Sequence, residues 1–173
     1  MRLFIAFDIS NEVKNYLKLV QTLLPDVDSK LTKSFHLTLR FLGECSEQET
    51  EKIKKQLKQI QFNPFSAHTT NLGVFPNENF IKVVWIGIEP GEIIIKIKEQ
   101  LEKVLKLQID ARFHPHITLQ RIKFLKNKKE YLGKLKKIPL KEQKFYINSI
   151  KLIKSELTPQ GPIYKVIEEI NSI

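Results

Sequence analysis

His36-Leu37-Thr38-Leu39 and His116-Ile117-Thr118-Leu119 are two copies of one pattern: histidine, apolar residue, threonine, apolar residue. Each copy lies in a run that alternates like a β-strand, where side chains point to opposite faces with period two. His36 and Thr38 therefore share one face, and Leu37 and Leu39 share the other. His116 and Thr118 are paired in the same way, opposite Ile117 and Leu119. With the apolar residues in a core, both His/Thr pairs look outward or into a cleft. A third His-x-Thr, His68-Thr69-Thr70, lacks the apolar frame and reads as chance.

Around these two strands the chain alternates strands and helices. A strand is expected over 2–9. Ser10 then caps a helix with the stripe Val13, Tyr16, Leu17, Val20, Leu23 and Leu24, ending near Pro25. The first motif strand covers 36–42 and stops at Gly43. Ser46 and Glu49 form a capping-box signature for a second helix with Ile53, Leu57 and Ile60 on one side. Strands follow near 65–75 and 81–88, the latter nearly all apolar and expected to be central. Pro90 and Gly91 open a third helix with Ile94, Ile97, Leu101, Val104 and Leu105 inward. The second motif strand spans 116–124, a short basic helix 126–136, and strands near 143–155 and 162–170 close the chain. The order passes twice through strand, helix, strand, helix. With the motif histidines nearly half a chain apart, this predicts an internal duplication with one His/Thr pair per half.

Length and composition bound the possibilities. The 173 residues suit one domain with a real core, and 42% apolar with 28% charged residues excludes wholesale disorder. A lone cysteine, Cys45, leaves no intramolecular disulfide framework and fits a cytoplasmic protein. No apolar run is long enough for a membrane span, and the N-terminus reads as a strand rather than a secretory leader. The net charge of +10 is concentrated: residues 121–144 hold ten Lys/Arg against two Asp/Glu. Such a segment attracts polyanions, and it equally fits a solvated lysine-rich helix.

These residues carry a resemblance. The chain resembles the 2H phosphoesterase superfamily, and within it the RNA 2′,3′-cyclic phosphodiesterases historically called 2′-5′ RNA ligases. The resemblance runs over nearly the whole chain: Arg2 to Asp8 is similar to the family opening, His36 to Glu44 to the first signature, Val83 to Gly87 to the central strand, and Phe113 to Arg121 to the second signature. Lys82 departs from the arginine that relatives often carry there. The resemblance implies an α+β, bilobal LigT-like duplicated fold, with two antiparallel sheets flanking a central cleft and helices outside. It implies a single domain over 1–173 made of two pseudo-symmetric lobes, without cofactor or metal.

It also implies hydrolysis of a 2′,3′-cyclic phosphate at an RNA end, leaving a 2′-phosphate; transfer-RNA fragments are among the candidate substrates, and a monomer is expected. His36 and His116 are the candidate catalytic pair, because histidine titrates where one ring can be neutral and the other protonated. His116 as base and His36 as acid is the preferred assignment, with the reverse left open. Thr38 and Thr118 are expected to bind the non-bridging oxygens. Strict alternation turns Arg121 away from His116, but the family places an arginine here near the phosphate, and a bulge would redirect it. Arg40 shares the His36 face by simple alternation. Phe7 and Phe41 are either base-stacking residues or core. Rival readings are a metal-dependent phosphodiesterase using His114, His116 and Asp110, a non-catalytic RNA-binding module, and RNA joining by the reverse reaction.

Overall fold

The computed structural model describes residues 1–173. In chain order the elements are β1 (Arg2–Phe7), α1 (Asn11–Leu23), β2 (Asp28–Leu31), β3 (Leu37–Glu44), α2 (Glu47–Leu57), β4 (Phe65–Asn77), β5 (Phe80–Glu89), α3 (Gly91–Val104), β6 (His116–Phe124), α4 (Lys128–Lys136), β7 (Lys144–Ile147), β8 (Ser149–Thr158) and β9 (Gly161–Asn171). The strands form two sheets, β3-β1-β8-β9 and β2-β6-β5-β4-β7, and every pairing is antiparallel.

Local chemistry accounts for the helices. Ser10 Oγ accepts from the Val13 amide at 3.3 Å, and Val13, Leu17 and Val20 are buried on α1. Leu23, expected in that stripe, is exposed. The capping box of α2 is present in full, with Ser46 and Glu49 bonding each other's amides at 3.2 and 2.7 Å. Helix α4 begins two residues later than expected, because Asn127 Oδ1 accepts from the Glu130 amide and sets the N-cap there.

Two features depart from the expected order. The strand expected over 143–155 is two strands in different sheets: β7 pairs with β4, and β8 pairs with β1. Phe145 and Ile147 are buried at odd positions, Ile150 and Leu152 at even ones, so the inward face changes parity at Asn148. The chain crosses between sheets at this residue, whose carbonyl accepts from the Ser172 amide at 2.8 Å. Strand β2 was not expected at all. Its sequence, Asp-Ser-Lys-Leu, has no apolar alternation, and it is held as an edge strand on β6.

The core lies behind the motif faces. Leu37, Leu39, Ile117 and Leu119 are all buried in one cluster shared by both sheets, α1 and α3. Strand β1 is buried on both faces, with Leu3, Ile5 and Phe7 in that cluster and Phe4 and Ala6 in a smaller one with Ile153.

Trp85 lies flat over Gly73 of β4, where an added Cβ would collide with the indole. The same indole backs His114 and His116, with ring centroids 4.7 and 6.0 Å away. Gly73→Ala is therefore expected to lower stability by about 1–3 kcal/mol through overpacking. A wild-type midpoint in urea unfolding would contradict this packing.

Candidate active site

Strand register decides which residues meet. On β3, Thr38 pairs with Ala6 and Arg40 with Ile5, so Leu39 is an unpaired extra residue. On β6, Thr118 pairs with Trp85 and Gln120 with Val84, so Leu119 is extra in the same way. Each bulge falls at the fourth position of its motif and shifts the facing of everything after it. Cross-strand partners share a face. Phe41, paired with Phe4, therefore stands on the face of Thr38, and Arg121, paired with Val83, on the face of Thr118. The redirection of Arg121 by a bulge is thus present.

Arg40 and Gln120 occupy the matching positions turned the other way. Gln120 is buried, donates to Ser29 Oγ at 2.8 Å and accepts from the Tyr131 hydroxyl. Arg40 still borders the cleft that His36 and Thr38 line, but its Nη1 lies 2.8 Å from Glu102 Oε1, so the guanidinium is engaged in an ion pair. Glu102 is fully buried and also accepts from Lys98 Nζ at 2.6 Å. This cluster ties β3 of the first sheet to α3, which precedes β6 of the second.

One cavity of about 570 Å³ opens between the sheets. His36, Thr38, His116, Thr118 and Arg121 all line it, so the structure brings the five expected residues together. Phe41, Phe75, Phe113, Tyr164, Lys30 and Lys33 complete much of its wall. A second depression of about 430 Å³ between β4 and α4 contains no histidine, and its charged residues, Glu78 and Lys136, pair with each other at 3.3 Å.

The two histidines sit in aromatic settings. His36 stacks on Phe4 at 4.8 Å between centroids and meets Tyr164 edge-on at 5.3 Å. Burial among these rings holds its pKa down to about 4, although the nearby Asp8 carboxylate opposes the shift. His116 meets Phe75 edge-on at 4.9 Å, and burial lowers its pKa as well. Its Nδ1 lies 2.6 Å from the His114 carbonyl oxygen. A carbonyl only accepts, so Nδ1 carries the hydrogen and Nε2 of the neutral ring keeps its lone pair. Burial raises the Tyr164 hydroxyl, while the positive charges of Arg121 and Arg2 oppose it.

The other expected residues divide between the cavity wall and the rest of the fold. Phe7 is fully buried and packs against Phe62 and Phe65, so it is core. Phe41 is 67% exposed on the cavity wall. Lys82 Nζ lies over the Phe80 ring at 4.8 Å and does not line the cavity. His68 is on β4, facing Glu142 at 3.9 Å. His114 packs on Trp85; Asp110 lines the cavity, where its Oδ1 accepts from the Arg112 amide; and no three His, Cys, Asp or Glu side chains gather as a metal site. Sequence reasoning missed Tyr164, Phe75, Lys30 and Lys33. For Lys30 the missing signal was β2 itself; Tyr164 lies on an expected strand whose neighbours carried no motif.

The chain is similar to known proteins in sequence and in fold. The family model for the 2′-5′ RNA ligase superfamily matches residues 28–159. An RNA 2′,3′-cyclic phosphodiesterase of Methanocaldococcus jannaschii is 37% identical, over 98% of this chain and 99% of that protein. A solved structure from Thermus thermophilus superposes with a TM-score of 0.77 at 30% identity, covering 99% of this chain and 97% of the other. The fold is also that of E. coli LigT, solved in complex with 3′-AMP, with a TM-score of 0.79 at 21% identity over 99% and 97% of the two chains. The α+β, LigT-like arrangement of two antiparallel sheets and the paired motifs have one explanation: this chain belongs to the 2′-5′ RNA ligase superfamily.

Proposed function

We propose that this protein hydrolyses 2′,3′-cyclic phosphate ends of RNA to 2′-phosphates by two-histidine acid–base catalysis without a metal. The observation that carries the proposal is the cavity into which two bulged strands deliver His36, Thr38, His116, Thr118 and Arg121 together. The names of the relatives support the substrate class. The chain is read as one catalytic domain, 1–173, of two pseudo-symmetric lobes, since, with the edge strand β2 set aside, β1-α1-β3-α2 and β5-α3-β6-α4 repeat one order with the motifs at matching places. A monomer acting in the cytoplasm on RNA ends, transfer-RNA fragments included, completes the reading. The buried lone Cys45 suits such a compartment, and no helix is long and apolar enough to cross a membrane.

The free Nε2 of His116 takes a proton from water, and the water oxygen attacks phosphorus. The bond from phosphorus to the 3′ oxygen breaks, and protonated His36 supplies the proton to that oxygen. In-line geometry requires the two rings on opposite sides of phosphorus, which suits one histidine from each sheet. Thr38 and Thr118 donate to non-bridging oxygens, and Arg121 offsets charge that grows there. Phe41 and Tyr164, beside His36, offer the terminal base a face to stack on, placing the ribose and its leaving oxygen on the His36 side. By microscopic reversibility the same groups join a 5′-hydroxyl to the cyclic phosphate when water is outcompeted.

With a pKa near 4, His36 is neutral in the empty cavity at neutral pH. The acid role therefore needs the substrate's negative phosphate, which favours the imidazolium. The kcat profile, which reports the complex, should then have its alkaline limb at higher pH than kcat/KM, which reports the free protein. Coincident limbs would contradict this substrate-assisted protonation.

On an RNA carrying a 2′,3′-cyclic phosphate, His36→Ala and His116→Ala are each expected to cut kcat by about 10²–10⁴-fold. Their thermal unfolding midpoints should stay close to wild type. Thr38→Ala and Thr118→Ala should lose less, about tenfold each, as single donors to an oxygen that keeps other partners. Near-wild-type kcat in either histidine variant would refute the mechanism.

A further inference from the structure

The far end of β6 carries a basic and aromatic surface that the reaction itself does not use. Lys30 and Arg121 are cross-strand partners on β2 and β6, and both line the cavity. Lys123 is exposed two residues beyond Arg121, about 7 Å at the rise of a strand. Phe124 follows, 65% exposed, and then Lys126, Lys128 and Lys129 before the first acidic residue, Glu130. The β4–β5 turn reaches the same end of the sheet. Lys128 Nζ donates to the Asn79 carbonyl at 2.6 Å, which draws the start of α4 onto that turn. Beside it Phe80 is 56% exposed, with Lys82 Nζ over its ring. The carboxylates here are Asp28, 3.9 Å from Lys123, and Glu78, engaged by Lys136.

A lysine-rich face that serves only hydration has no need of two uncovered phenyl rings among its charges. Rings that stack bases, set between cations that meet phosphates, are the recurring chemistry of single-stranded nucleic acid binding. The surface is also continuous with the cavity through Arg121 and Lys123 on one strand. An RNA whose cyclic phosphate meets Arg121 must leave the cavity somewhere, and the strand from Arg121 to Lys123 offers its phosphates a positively charged way out.

We propose that Lys123, Phe124, Lys126 and Phe80 form a docking surface for the single-stranded RNA segment on the 5′ side of the reacting end. The protein then favours oligonucleotides over mononucleotides. This rests on the cyclic-phosphate reading above.

The test compares wild type, the triple variant K123Q/F124A/K126Q, and F80A on two substrates. One is a nucleoside 2′,3′-cyclic phosphate; the other is a single-stranded RNA of about ten nucleotides with the same end, long enough for the cavity and a stacking surface. The triple variant should keep wild-type kcat/KM on the mononucleotide and raise KM for the RNA about tenfold, with F80A shifting it in the same direction. The slope of log KM against log salt for the RNA should flatten by about 1.4, the share of two lysines on a single strand. Equal losses on both substrates, or an unchanged KM for the RNA, would overturn the proposal. If wild type opens neither substrate, the hydrolysis reading fails separately. Fluorescence anisotropy with the same RNA then decides: weaker binding by the triple variant supports the surface, and unchanged binding overturns it.

Discussion

The site depends on two extra residues, Leu39 and Leu119, each buried behind its own motif. Without them each strand would alternate strictly, and the fifth residue after each histidine would face the core. With them, Phe41 and Arg121 join the His/Thr pairs on the cavity wall, Phe41 with His36 and Thr38, and Arg121 with His116 and Thr118. The bulges also turn Arg40 and Gln120 toward buried polar partners. Arg40 stays on the cavity wall and pairs with Glu102 of α3, which also holds Lys98, so a cavity-lining residue of β3 is tied to the helix that precedes β6. Breaking such a buried network leaves an uncompensated charge, which makes this tie costly to lose.

The two strands match in backbone and differ in what stands at the last cavity-facing position. One presents an aromatic ring and the other a guanidinium. A cyclic phosphate bound between them has a charged half, suited to Arg121, and a nucleoside half, suited to Phe41 and Tyr164. In the proposed mechanism that asymmetry gives the near-symmetric pair of histidines different tasks. It agrees with the hydrogen bond that leaves His116 Nε2 free to accept a proton. It agrees too with the aromatic enclosure of His36, where burial holds the pKa down to about 4.

Much of this was legible from residues alone, for identifiable reasons. The framed His-x-Thr motifs carry a period-two signal strong enough to place strands, face and cavity. Ser46 with Glu49, and the stripe Ile94, Ile97, Leu101, specify helices through capping and burial that need no distant partner. What escaped depended on distant partners. Strand β2 exists because β6 offers an edge, not because Asp-Ser-Lys-Leu favours a strand. The crossing at Asn148 shows only as a parity change between Ile147 and Ile150, visible once two sheets are known to compete for the segment. Arg40 follows simple alternation until the register reveals Leu39 as extra, and Tyr164 enters the cavity from β9 with no motif to announce it.

The most direct measurement is product identity. An RNA ending in a 2′,3′-cyclic phosphate is incubated with the purified protein in excess chelator, and 2′- and 3′-phosphate products are separated. Acid–base catalysis by His36 and His116 predicts undiminished opening to the 2′-phosphate alone, as breakage of the bond to the 3′ oxygen requires. A 3′-phosphate product would place the leaving group on the wrong oxygen, and activity that returned only with added metal would contradict the two-histidine mechanism itself.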